Sequence, residues 1–204
     1  MPVIWIVTFL LVLSIAGYVA GRARAFQSAS GDVRQMHSLP GYYGYNVALT
    51  SLVPALLVLA VWLLVQPMLI ESRVAGMLPA EVIPEGSNQS LVMSDVRRVA
   101  EGLDIAIERG VMTEESASSI RTEFTDVRGR LGEVGVALGS DVRPEVLRAA
   151  QTYRSMSSKG SLAMTIVVGL LAIGGLALAF SRTNKDFRAR NVVERGVMAL
   201  LILA

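Results

Sequence analysis

The chain has 204 residues, 52% of them hydrophobic, with a mean hydropathy of +0.51, which is too apolar for an ordinary soluble domain and indicates a membrane protein. It has no cysteine and one histidine, which excludes disulfides and thiol catalysis and argues against a histidine metal cluster. The net charge is +2, but the basic residues cluster in short loops beside apolar segments, so they indicate topology and not a nucleic-acid partner.

The first apolar segment, residues 2–20, carries no charge and is long enough to cross a bilayer. A secretory signal peptide is the alternative, but such a peptide has positive residues before its apolar run. Here Arg22 and Arg24 follow the run. We therefore predict a retained transmembrane helix whose N-terminus lies outside the cytoplasm, in the periplasm.

A short polar connection, residues 21–43, follows and should be cytoplasmic because it is basic. It leads into an aromatic stretch, Gly41–Tyr45. One interpretation of this stretch is an aromatic belt at the membrane surface. The other is a docking surface for a helix or a nucleotide.

A second uncharged segment, residues 45–66, predicts a second transmembrane helix. Pro54 lies inside it and removes one backbone hydrogen bond, so we expect a kink. Residues 1–67 are thus predicted to be a two-helix membrane anchor.

Residues 68–160 differ in kind, because eleven Lys and Arg face fourteen Asp and Glu and no segment could span a bilayer. We predict an extracytoplasmic, mainly helical domain, since a loop of this length is translocated whatever its charge. Its first helix should cover 94–109 by its apolar spacing and stop at Gly110. Its carboxylates, at Asp95 and Asp104 among others, should form a solvated face and not an acid–base pair.

Further helices are predicted from local signals in the same domain. Thr113 is a suitable cap for a second helix that continues through Leu131. Pro144 suits the first turn of a third helix that ends near Ser157.

The third apolar segment, residues 161–180, contains 19 uncharged residues from Leu162 to Phe180 and spans about 28 Å. The loop 181–196 after it is basic and should be cytoplasmic. Together with Arg22 and Arg24, the residues that determine the predicted topology are Arg182, Lys185, Arg188, Arg190 and Arg195.

The final residues, 197–204, are apolar and predict the start of a fourth transmembrane helix. Eight residues cover about 12 Å of a core of about 30 Å. We therefore expect the chain to be incomplete at its C-terminus.

The predicted fold class is an all-α integral membrane protein. It has three complete transmembrane helices, the start of a fourth, and a helical extracytoplasmic domain between the second and third. No nucleotide loop, metal-ligand spacing or nucleophile pattern occurs, so we expect no catalytic residue, no cofactor and no metal site.

Four stretches together resemble the N-terminal region of bacterial phosphate ABC transporter permeases of the PstC type. They are GRARA (21–25), MHSLPGYYGYNVAL (36–49), VPALLVLAVWLL (53–64) and FRARNVVERGVMALLILA (187–204). The last resembles the start of the permease core. The most specific part is the motif formed by His37, Ser38, Leu39, Pro40, Tyr42, Tyr43 and Gly44.

The resemblance implies a multi-pass protein of the bacterial inner membrane that belongs to an ATP-driven phosphate importer. Its partners would be the lipid bilayer, a second permease subunit, cytoplasmic ATPase subunits and a periplasmic phosphate-binding protein. It would not itself be an enzyme, because ATP hydrolysis belongs to a separate subunit. The family's ATPase-docking EAA–G loop is absent from these residues, so an accessory, anchoring role is expected. A membrane sensor or a small assembly protein with a periplasmic helical domain remains the alternative.

Overall fold

The computed structural model describes residues 3–79, 88–122, 126–136 and 141–203, and in these ranges every regular element is helical. A short 3-10 turn covers Val33–Gln35. The α-helices are α1 (Val3–Ser28), α2 (Pro40–Ala75), α3 (Gln89–Glu108), α4 (Glu114–Ser119), α5 (Val127–Glu133), α6 (Pro144–Arg182) and α7 (Ala189–Leu203).

Three of these helices, α1, α2 and α6, are long and apolar enough to cross a membrane by length and composition. This confirms the prediction of three helices that are long and apolar enough to span a membrane. Helix α7 has 15 residues and is not among them, so the fourth membrane span stays a prediction.

All three helices extend past the predicted apolar limits. Helix α1 continues to Ser28 through Arg22 and Arg24, because Arg, Ala and Gln are good helix formers and arginine stems can lie along apolar surface. Helix α2 begins at Pro40 and runs on to Ala75, well beyond the predicted 45–66.

The predicted third helix of the polar domain and the third apolar segment form one continuous helix, α6. Gly160 lies in its middle, and a single glycine costs only about 1 kcal/mol in a helix and does not break it. A Cβ at Gly160 would lie 2.6 Å from Nε2 of Gln66, which itself donates to the carbonyl of Ser157 at 3.3 Å. The glycine therefore lets the Gln66 side chain approach the helix backbone.

The chain divides into two compact units. Residues 1–63 and 161–204 form the first, here called the span unit. Residues 64–160 form the second, the polar unit.

The core of the span unit lies where α1, α2 and α6 meet. Its buried side chains are Ile6, Leu10, Ala55, Leu59, Met164, Val168 and Ala172. Large apolar side chains such as Trp5, Leu170 and Ile173 remain more than half exposed on the outside. An apolar exterior of this kind suits contact with lipid.

Glycines allow α1 and α2 to approach closely. A Cβ at Gly44 would lie 2.6 Å from the Tyr18 ring and 2.7 Å from the Tyr18 carbonyl oxygen. A Cβ at Gly21 would lie 2.7 Å from a methyl of Val47. Small residues at such crossings are typical of helix pairs in membranes.

The contact between α2 and α6 uses a glycine and a hydroxyl. A Cβ at Gly175 would collide with the carbonyl of Thr50. Next to it, the buried Ser51 hydroxyl donates to the carbonyl of Ala172 at 2.8 Å. The glycine-containing stretch 169–175 thus contributes to close packing at Gly175, whereas Gly169 faces open space.

The polar unit is built on the amphipathic helix α3, as predicted. Its buried side chains include Val92, Val96, Val99 and Leu103. The helix starts earlier than expected because the Asn88 side chain accepts a hydrogen bond from the amide of Leu91 at 3.0 Å.

The predicted end of α3 and the cap of the next helix are confirmed. Gly110 adopts a left-handed conformation (φ 71°), which glycine tolerates after a helix. The Thr113 hydroxyl accepts from the amide of Ser116 at 3.2 Å and caps α4. Pro144 is the first residue of α6, as its position suggested.

The expectation of one helix from Thr113 through Leu131 is wrong. Helix α4 ends at Ser119, and Ile120 has an extended ψ of 140°. A new helix, α5, starts at Val127 because the Asp126 carboxylate accepts from the amide of Gly129 at 2.8 Å. The stretch 79–88 contains Pro79, Pro84 and Gly86 and its composition predicts an irregular connector, and residues 80–87 lie outside the described residues.

Candidate functional site

The motif at residues 37–44 contacts the basic loop that follows α6. The backbone amide of His37 donates to the carbonyl of Lys185 at 3.2 Å. The hydroxyl of Tyr43 donates to the same carbonyl at 3.1 Å. Tyr43 is fully buried. The carbonyl oxygen of Lys185 thus accepts two hydrogen bonds from the 37–44 motif and joins this motif to the basic loop.

A second contact lies at the start of α7. The buried Ser38 hydroxyl oxygen accepts a hydrogen bond from the backbone amide of Arg190 at 3.3 Å. The first amides of a helix have no partner within the helix, so an oxygen placed there stabilises its start. Ser38 thus fixes where α7 begins.

A third contact joins the ends of α1 and α6. The Arg24 side chain donates from Nε to the carbonyl of Thr183 at 3.2 Å, and its guanidinium lies 4.4 Å from the centre of the Phe180 ring. A guanidinium over an aromatic face gains a cation–π interaction. The Thr183 hydroxyl is buried and donates to the carbonyl of Ala179 at 2.9 Å.

A small apolar cluster supports these polar contacts. Ala25, Tyr43 and Ala189 are fully buried, and Met36, Tyr42 and Phe187 pack against them. We call this region the loop junction. It consists of Arg24, His37, Ser38, Tyr43, Phe180, Thr183, Lys185 and Arg190.

The structure brings together some of the predicted site residues and leaves others apart. Leu39 is 67% exposed and Pro40 starts α2, while Gly44 contacts α1 through Tyr18. Arg190 also pairs with Glu194 at 2.7 Å. The remaining topology residues lie on exposed surface; they are Arg22, Arg182, Arg188 and Arg195.

The tyrosines of the aromatic stretch have different environments. Tyr43 is buried in the loop junction, whereas Tyr45 is 53% exposed with its ring centre 5.0 Å from that of Tyr18. Tyr43 thus contacts the protein's own loop, whereas Tyr45 contacts α1 through Tyr18.

Sequence reasoning missed Thr183 and Phe180 as members of the site. Phe180 was counted only as the last residue of an apolar segment, and an aromatic residue next to a basic loop was a usable signal for a cation–π partner. Nothing in the sequence indicates that the backbone carbonyls of Thr183 and Lys185 are the acceptors.

The polar unit has its own polar cluster, centred on Arg154. The side chain of Arg154 is 9% exposed and donates from Nε to Asp104 at 2.7 Å and from a terminal nitrogen to Glu114 at 2.9 Å. Burial lowers the pKa of Arg154, but its hydrogen bonds to Glu114 and Asp104 outweigh this and raise it. The guanidinium thus stays charged and links α3, α4 and α6.

The contacts of the loop junction are structural, since they join backbone carbonyls, hydroxyls and one guanidinium. The imidazole of His37 is on exposed surface, and only its backbone amide takes part. Within the described ranges, no group of three or more His, Cys, Asp or Glu residues could hold a metal ion.

Comparison with known protein families gives a match over most of the chain. The model of a family described as "Phosphate ATP-binding cassette transporter" matches residues 7–177, which include most of α1, the 37–44 motif and most of α6. No curated protein and no solved structure matches the chain. Because the match covers most of its length, this chain belongs to the phosphate ATP-binding cassette transporter family.

Proposed function

We propose that these residues are the N-terminal, membrane-anchoring part of the permease subunit of an ATP-driven phosphate importer of the PstC type. The family match and the three apolar helices support this assignment. So does the tail 187–204, which resembles the start of a permease core. The region is accessory, since it lacks the family's ATPase-docking loop.

The loop junction supplies the proposed mechanism. Arg24 and Tyr43 bind the backbone at residues 183 and 185, and Ser38 binds the first turn of α7. Because α7 corresponds to the first helix of the core, the accessory helices α1 and α2 hold that helix in position. The observation that carries this proposal is the convergence of three contacts on the short stretch from the end of α6 to the first turn of α7.

The remaining roles follow from the same assignment. The permease subunit assembles in the bacterial inner membrane with a second permease subunit, two cytoplasmic ATPases and a periplasmic phosphate-binding protein. Residues 68–160 are periplasmic and both short basic loops are cytoplasmic. The chain is not an enzyme, because ATP is hydrolysed by the partner ATPases.

Phosphate uptake tests the proposal. In a strain that lacks this permease gene, the full gene should restore phosphate uptake, and the Ser38→Ala/Tyr43→Phe double variant should restore it only partly. A Tyr45→Phe variant is the matched control, because Tyr45 is half-exposed and its ring is kept. Membrane levels of each protein are measured in parallel.

Two outcomes would count against this assignment. Uptake that is unchanged by deletion of the gene removes the importer role. A deletion that alters phosphate-dependent gene expression but not uptake favours the sensor alternative.

A further inference from the structure

The polar unit contains a second site of a different character, a polar pocket of about 220 Å³ between the end of α4 and the start of α6. Six polar residues line it: Ser118, Ser119, Arg121, Thr122, Arg148 and Gln151. We propose that this pocket binds a small tetrahedral oxyanion, inorganic phosphate.

The electrostatic argument rests on two arginines. Arg121 and Arg148 both line the pocket, and none of its described lining residues is a carboxylate. Three arginines of this unit, Arg97, Arg128 and Arg154, each form a salt bridge. Among the described residues, neither Arg121 nor Arg148 does.

This local charge runs against the composition of the polar unit, in which acidic residues outnumber basic ones. Two positive side chains at one pocket repel each other, and a bound anion reverses that cost. Guanidinium groups are well suited to phosphate because their planar donors can bind two oxygens at once.

Hydrogen bonds from Gln151 fix the walls of the pocket. The Gln151 side-chain amide donates to the carbonyls of Ala117 and Ile120 at 3.0 and 3.1 Å. These bonds hold the end of α4 against α6 and occupy the donors of Gln151. The available donors are therefore the two guanidiniums and the hydroxyls, of which Ser118 and Ser119 can rotate away from the Glu115 carbonyl that they share.

Size limits the ligand class. Pockets for drug-sized molecules begin at about 300 Å³, so a pocket of about 220 Å³ suits a small ion with a few waters. The choice of phosphate among the oxyanions rests on the proposed function, whereas the oxyanion class rests on the residues of the pocket.

Binding of radiolabelled inorganic phosphate to the full chain, purified in detergent, tests the site. We expect saturable binding that Arg121→Gln and Arg148→Gln each weaken at least about tenfold, because each removes a charge-assisted pair. The control is Arg98→Gln, an exposed arginine of α3 that lines no part of this pocket, and it should bind like the parent. Arg148→Lys keeps the charge but not the planar donors and should give an intermediate affinity.

Competition distinguishes the free ion from esterified phosphate. Unlabelled phosphate should displace the label at lower concentration than glycerol phosphate, which stands for lipid headgroups. The site is wrong if binding is not saturable, if Arg98→Gln weakens it as much as the pocket variants, or if glycerol phosphate competes better. Thermal unfolding checks that each variant is folded, which is expected because both pocket arginines are exposed.

The uptake assay separates this proposal from the importer assignment. Normal gene-dependent uptake with no binding to the purified chain rejects the pocket and leaves the importer role intact. Binding at the pocket with gene-independent uptake keeps the oxyanion site and rejects the importer role.

Discussion

Tyr43 is the residue on which the loop junction most directly depends. Its hydroxyl is buried and bonded to Lys185, so Tyr43→Phe removes one hydrogen bond and keeps the ring. We expect a destabilisation of about 1 kcal/mol, seen as a lower thermal midpoint of the purified chain in detergent. Tyr43→Ala should cost more, about 3–5 kcal/mol, because it also leaves a cavity.

Tyr45→Phe is the control for this experiment, since Tyr45 is 53% exposed. It should leave the midpoint unchanged. Equal midpoints for Tyr43→Phe and Tyr45→Phe would contradict the assigned role of the Tyr43 hydroxyl.

Only some of the residues of the loop junction could be predicted from the sequence. The 37–44 motif stands out by its resemblance to a family, and the basic loop by its charge. Their contact joins residues 142 positions apart, and neither local propensity nor hydrophobic periodicity carries information about such a pair. The burial of Tyr43 against a backbone carbonyl therefore needed the structure.

At the scale of elements, the crossing of α1 and α2 depends on Gly44. Gly44→Ala places a methyl 2.6 Å from the Tyr18 ring and 2.7 Å from a backbone oxygen, so the helices must separate. We expect about 1–3 kcal/mol of destabilisation, the usual cost of overpacking. Thermal unfolding in detergent measures it.

Gly169→Ala is the matched control for the helix crossing. It adds the same methyl in α6, where apart from the helix's own nearby backbone no atom lies within 4 Å. This variant should not destabilise the chain and should gain up to about 1 kcal/mol, because alanine is the better helix former. If both alanine variants unfold at the parental temperature, the glycine-mediated crossing is wrong.

The packing of α3, α4 and α6 in the polar unit depends on Arg154. Arg154→Gln removes two ion pairs of a side chain that is only 9% exposed. We expect a loss of about 1–3 kcal/mol, after allowance for the solvent exposure of both carboxylates. Chemical unfolding monitored by circular dichroism measures it.

Arg97→Gln provides the comparison for Arg154. Its salt bridge with Glu71 has side chains 45% and 41% exposed, so its loss should cost less than about 1 kcal/mol. A larger effect for Arg97→Gln than for Arg154→Gln would argue against the central role of Arg154.

Element boundaries were predictable where the signal is local. The caps at Gly110, Thr113 and Pro144 involve a few neighbouring residues, and the structure places each as expected. Helix length was less predictable, since α2 and α6 continue for many residues past their apolar parts. Hydropathy predicts which residues lipid can cover, but it does not predict where a helix ends.

At the scale of the whole molecule, the proposed orientation gives a direct test. The chain has no cysteine, so single-cysteine variants can report which side of the membrane each loop faces. Three exposed positions suit this purpose because none of them has a left-handed backbone conformation: Val33, Val111 and Asn191. A maleimide that cannot cross membranes should label Val111→Cys in intact spheroplasts, but Val33→Cys and Asn191→Cys only after permeabilisation.

The reverse labelling pattern would invert the topology and remove the periplasmic assignment of residues 68–160. The proposed topology places an odd number of membrane crossings between Val33 and Val111, so these two positions lie on opposite sides. Labelling of all three positions from one side would contradict it. Immunoblots confirm that each variant is present in equal amount.

The long separation of the contacts at the loop junction has a consequence for biosynthesis. Arg24, Tyr43 and Ser38 each wait for acceptors or donors 142 to 159 residues further along the chain. At synthesis rates of about 5–20 residues per second, that delay is roughly 7–30 s. During this interval the first two helices have already left the ribosome without their partner loop. The junction can close only after α6 and the loop behind it have been synthesised, so α7 is positioned late, against helices that are by then complete.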